Sequence, residues 1–258
     1  MLKIISTLTG LSLGVFYPLS FLIHAKSPLK QGFHRFHLGM PLVLGGMTSA
    51  FLLAGDISSF TKGVLILWLL TLAFVTLFYW KKESPPALVA AIPSLSGLFA
   101  FTSIQLEFFN DFPLEKSVVN ILAGLILCAT LHAMTLGHHY LNVKGLPLKH
   151  LKDADNVLWV LLGLRLLWDI YNLIFGKTVY GGDIMPLIQF SMKLDGFLLW
   201  IGIFFGTLLP FMALFFVREI LKFKNTQSAT GLLYVVLCSV LMGDLAYKYY
   251  LVKFGVAL

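Results

Sequence analysis

Apolar stretches of about 20 residues recur from one end of this chain to the other, and that recurrence decides what it can fold into. A helix needs about 20 apolar residues to cross the roughly 30 Å hydrocarbon core of a bilayer. In hydrocarbon every backbone N–H and C=O must be satisfied internally, which leaves helices or a closed barrel. Barrel strands would read as alternating segments of about ten residues, and no such alternation is present. Only 12% of the residues are charged, against about 25% in soluble domains, so a soluble fold is excluded. No polar block is large enough to form a separate domain. The expected fold is all-α, a polytopic membrane bundle forming one transmembrane domain over residues 1–258.

Spans are expected at about 4–24, 38–55, 63–80, 87–105, 118–140, 156–175, 187–217 and 229–251, eight in all, with charged, proline and glycine punctuation between them. The first run begins Met-Leu-Lys. It reads as a span because its apolar stretch is about 20 residues and no small-residue cleavage site precedes His24. Cys128 and Cys238 lie inside apolar runs and read as packing residues. Gly10 with Gly14, and Gly202 with Gly206, are small residues four apart that allow close helix approach. Pro18, Pro41, Pro93 and Pro210 fall within apolar runs and predict bends.

Cations set the expected orientation. Lys26, Lys30, Arg35, Lys81, Lys82, Lys144, Lys149, Lys152, Arg218, Lys222 and Lys224 fall on one side of the alternating spans. Lys3, Lys62, Lys116, Lys177, Lys193, Lys248 and Lys253 fall on the other, and Asp56, Glu107, Asp111, Glu115 and Asp183 lie with them. The richer side is expected to be cytoplasmic. Both termini then lie outside the cytoplasm, in a multi-pass protein of the cell inner (plasma) membrane. The net charge of +7 reads as topology and as contact with the lipid bilayer, with no nucleic-acid partner.

Two groups of residues carry candidate chemistry. All seven histidines fall on the expected cytoplasmic half. His24 ends the first span, and His34 and His37 lead into the second. His132 and His139, seven apart, differ by about 20° around their helix and share a face. Imidazoles there could ligate a b-type haem or hydrogen-bond a quinone; alternatively, interfacial histidines simply reach for headgroups. His132 lies about two turns inside its apolar run, where an ionisable group is costly. The second group is Arg165, Asp169 and Asn172, whose spacing of four and three places them on one face near mid-membrane. It reads either as a self-neutralising pair or as part of a proton or anion path, with Asp195 and Asp244 as further members. Asp244 has Lys248 four residues on, the order that favours pairing. Motifs of the GxSxG, HExxH and phosphate-loop kinds are absent, and no resident metal is expected.

Two segments carry a resemblance. Gly137-His138-His139-Tyr140-Leu141 followed by Leu146-Pro147-Leu148-Lys149, and Asn225-Thr226-Gln227-Ser228-Ala229-Thr230-Gly231-Leu232-Leu233-Tyr234, resemble stretches of a group of uncharacterised bacterial multi-helix membrane proteins. That resemblance implies no activity. In architecture alone, an eight-helix bundle with interfacial histidines resembles the quinol-interacting membrane anchors of the DmsC and NrfD or polysulfide-reductase type. Residues 225–228 also supply N-cap candidates for the last helix, with Thr226 or Ser228 able to accept from its first turn.

The foremost expectation is an electron-transfer membrane subunit, binding quinone or haem b through His24, His34, His37, His132 and His139, with other membrane or redox subunits as partners. The alternatives are a proton-coupled transporter built on the Arg165, Asp169 and Asn172 stripe, or a structural subunit of a membrane complex.

Overall fold

The computed structural model describes residues 1–25, 33–82, 85–109, 114–143 and 145–258. Lys26, Lys30, Asp111 and Lys144, used above for orientation, lie outside them. Among the described residues eight helices are long and apolar enough to cross a membrane, the pattern of a multi-pass integral membrane protein. The chain divides into two compact units, Ser6–Ser117 and Met1–Ile5 with Val118–Leu258.

The first unit contains most of α1 (Leu2–Phe16), which tightens into a 3₁₀ segment, Tyr17–His24. Pro18 removes one amide donor at that point, so the regular i to i−4 ladder cannot continue through it. There follow α2 (Phe33–Leu53), α3 (Ser59–Tyr79) and α4 (Ala87–Phe108). Helix α2 begins five residues earlier than its hydropathy indicates, because His34 and His37 are buried within it. Trp68 of α3 is fully buried where three helices offer glycine. A Cβ at Gly14, Gly45 or Gly97 would stand 3.0, 2.7 or 2.7 Å from its indole. Ser58 caps α3 by accepting from the Thr61 amide at 3.2 Å. The Glu107 carboxylate accepts from the Ser58 amide and the Thr61 hydroxyl, tying the end of α4 to the start of α3.

The second unit contains most of α5 (Leu114–Asn142) together with α6 (Lys149–Phe175). Helix α6 starts seven residues before the expected boundary, since Asp155 is buried and accepts from Arg218 Nε at 2.7 Å. A hairpin that hydropathy does not reveal follows, β1 (Lys177–Tyr180) paired antiparallel with β2 (Asp183–Pro186). Gly181 and Gly182 both take positive φ in its two-residue turn, which glycine permits without strain. The short α7 (Leu187–Ser191) precedes α8 (Leu194–Lys222), so the expected span at 187–217 is broken near its start. Within α8, Phe204–Leu208 form a π-helical turn. Pro210 lies just beyond and cannot donate to the Gly206 carbonyl, which favours this widening. Helix α9 (Thr226–Phe254) completes the set. Its cap is Asn225, which accepts from the Ser228 amide at 3.0 Å, rather than Thr226 or Ser228. Gly206 and Gly243 bring α8 and α9 together so closely that a Cβ on Gly243 would overlap the Gly206 backbone.

Candidate functional site

The i, i+4, i+7 spacing of Arg165, Asp169 and Asn172 on α6 does place them on one buried face, with Arg165 and Asp169 each 1% exposed. Arg165 Nε stands 3.2 Å from Asp169 Oδ1. The other carboxylate oxygen, Oδ2, accepts from Thr207 Oγ1 at 2.6 Å and from Tyr247 Oη at 3.0 Å. Those two hydroxyl oxygens are themselves 2.8 Å apart. Three oxygens from three helices thus form a closed triangle. With Asp169 ionised, the triangle has three short edges and only two hydroxyl protons to fill them.

Thr207 reaches this position from the π-helical turn of α8, a geometry that recurs at functional sites. Tyr247 reaches it from α9, and its ring lies under the Arg165 guanidinium, 3.8 Å from Cζ to centroid. Arg165 Nη2 donates to the Leu258 carbonyl, and Nη1 has no acceptor among the described residues. Beside the guanidinium is a crevice of about 10 Å³, bordered by Arg165, Gly206, Asp244 and Tyr247, enough for about one water. Asp244 holds a second buried pair, with Lys248 Nζ 2.5 Å from each of its oxygens. Asn172 turns its amide back to the Trp168 carbonyl at 3.1 Å and does not join the triangle.

Asp195 belongs to another group. It accepts from Tyr180 Oη at 2.9 Å and lies 3.5 Å from Lys253, about 18 Å along α8 from Thr207 at 1.5 Å per residue. The hydrogen bond to this carboxylate pushes the Tyr180 phenol above its ordinary pKa.

The histidines are distributed over both units. In the first, His37 Nδ1 is 2.6 Å from Tyr17 Oη, and its ring meets that of Phe33 at 3.8 Å between centroids. His34 Nε2 is 3.3 Å from the Tyr79 carbonyl. His24 is buried at the end of the 3₁₀ segment. In the second, His132 is 1% exposed within α5, with His139 two turns further along. His150 lies buried in the first turn of α6 rather than in a loop. Among the described residues no group of three or more His, Cys, Asp or Glu could hold a metal ion.

Thr207 and Tyr247 were not apparent from the sequence as site residues. A lone threonine between Gly206 and Pro210 in an apolar run was the available signal for one, and a tyrosine between Asp244 and Lys248 for the other. Compared with protein-family models, with curated proteins and with solved structures, the chain matches none.

Proposed function

We propose that this protein is a proton-coupled membrane transporter in which Asp169 takes up and releases the proton. The observation that carries this reading is the triangle of Asp169, Thr207 and Tyr247 oxygens, three contacts of 2.6 to 3.0 Å with one proton fewer than they can use. A proton on Asp169 supplies the missing donor. Its loss restores the ion pair with Arg165, so both protonation states have partners, and the exchange stays within one buried cluster. An ionisable stripe facing a helix-bundle interior is the usual setting of such relays. The cation-rich loops are taken as cytoplasmic, with both termini outside the plasma membrane.

The electron-transfer reading, with quinone or haem b held by histidines, has less support. An imidazole that gives one ring nitrogen to a protein partner, as His34 does to the Tyr79 carbonyl and His37 to the Tyr17 phenol, can still ligate through the other, so that reading rests on histidine placement alone.

Proteoliposomes containing a pH-sensitive dye, given an inside-negative potassium diffusion potential, test the proposal. Protein-containing vesicles are expected to acidify faster than empty ones, and Asp169→Asn to remove the excess while the exposed Glu219→Gln leaves it intact. Equal rates for native and Asp169→Asn protein, or for native protein and empty vesicles, would overturn it.

A further inference from the structure

Residues 255–258 treat the polar centre as a ligand would. Gly255, at φ 66°, ends α9 and turns the chain back, and Val256 and Leu258 are buried in an apolar cluster with Leu199, Ile203 and Tyr247. Trp168 Nε1 donates to the Ala257 carbonyl at 3.1 Å, and Arg165 Nη2 donates to the Leu258 carbonyl. The segment therefore presents oxygen to a guanidinium and an indole while a branched aliphatic side chain fills an apolar pocket. Resting on the reading of Asp169 as the proton-binding group, we propose that Arg165 clamps the carried solute, a short aliphatic monocarboxylate, and that residues 255–258 occupy its place in this conformation.

The guanidinium is suited to that role. Its Nη1 has no acceptor among the described residues, so displacing the Leu258 carbonyl would open both N–H arms of a planar fork that matches a carboxylate. The Tyr247 ring holds the plane of that fork from one face. The charge balance supplies the coupling. While Asp169 is ionised, Arg165 is neutralised and a second anion is not needed. Once Asp169 is protonated, a buried guanidinium lacks its counter-ion, and an incoming carboxylate restores neutrality. One proton and one monocarboxylate anion are then bound together, with no change of oxidation state, while a proton held without solute still crosses alone, the flux that the vesicle assay reads. The present crevice of about 10 Å³ is too small for such a solute and the Leu258 carbonyl holds one arm of the guanidinium, so the segment must leave first. It is an autoinhibitory occupant of the site.

Binding can be read on the full chain in detergent, from tryptophan-fluorescence melting with sodium 4-methylpentanoate, the neutral 4-methylpentanamide and 4-methylpentylamine. The carboxylate alone is expected to raise the melting temperature in a saturable way, more strongly at lower pH. Leu258→Gly, or removal of residues 255–258, should lower the half-saturating concentration about tenfold, the gain for a site otherwise self-occupied about nine-tenths of the time. The charge-neutral double variant Arg165→Gln with Asp169→Asn should melt cooperatively and lose the response. Equal stabilisation by carboxylate and amide, a response retained in the double variant, or an unchanged half-saturating concentration in both segment variants would overturn the proposal. Intact Asp169-dependent proton flux without carboxylate binding would overturn this inference alone. Carboxylate binding without that flux would overturn the transport reading alone.

Discussion

Replacing Asp169 by Asn isolates the charge of the polar centre from its hydrogen bonds. The asparagine oxygen can still accept from Thr207 and Tyr247, so what is lost is the attraction to Arg165 across 3.2 Å. At an effective dielectric of about 20, two unit charges at that distance attract by about 5 kcal/mol. Both side chains are 1% exposed, so water does not screen the remaining cation, and breaking such a pair typically costs about 3 to 5 kcal/mol. By contrast, a single interhelical hydrogen bond in a membrane protein averages about 0.6 kcal/mol and reaches about 1.7, which bounds Thr207→Val and Tyr247→Phe. Reversible unfolding in mixed micelles, by titration with a denaturing detergent, measures all of these. Asp169→Asn and Arg165→Gln should each lose about 3 to 5 kcal/mol, and the double variant should lose far less than the sum. A coupling energy below about 0.5 kcal/mol, the range of independent sites, would refute the claim that the two charges neutralise one another.

Three further outcomes are expected. Gly243→Ala should destabilise the second unit by about 1 to 3 kcal/mol through overpacking, whereas Gly163→Ala, with nothing within 4 Å of its added carbon, should be neutral or stabilising in the same unfolding assay. Asp195→Asn should bring the Tyr180 phenol back down toward its ordinary pKa, because the carboxylate hydrogen bond that raises it is gone; alkaline titration of tyrosinate absorbance reads this, and an unchanged curve contradicts the assignment. A periplasm-active reporter should be active when fused after Leu258 and inactive after Asn225. The reverse pattern would turn the cation-based orientation over.

Hydropathy was enough for the eight spans, because the bilayer imposes one length on all of them and punctuation falls where the chain must turn. Boundaries failed where polar residues continue a helix. Phe33 to His37 looks like an approach to α2, yet Tyr17 and Tyr79 supply partners that let His37 and His34 be buried. Lys149 to Asp155 looks like a loop, yet Arg218 engages Asp155 and α6 runs through it. The hairpin at 177–186 was signalled only by Gly181-Gly182, a two-residue turn of the kind that hairpins favour. The Arg165 and Asp169 pair was legible because a spacing of four fixes a shared face on any helix. Thr207 and Tyr247 were not, since a hydroxyl in an apolar run has no periodic signature and the aim of Thr207 depends on a π-helical turn. Asp195 was grouped with the stripe on its helix alone, and its distance along α8 from Thr207 separates it.

Infrared difference spectroscopy of the reconstituted protein, stepped from acid to alkaline pH, tests most directly whether Asp169 exchanges a proton. The account predicts a protonated-carboxyl C=O band that disappears on alkalinisation, is missing in Asp169→Asn, and shifts in Thr207→Val and Tyr247→Phe as its hydrogen-bond partners are removed one at a time. An unchanged band in Asp169→Asn, or spectra in which Asp169 stays ionised throughout the titration, would contradict it.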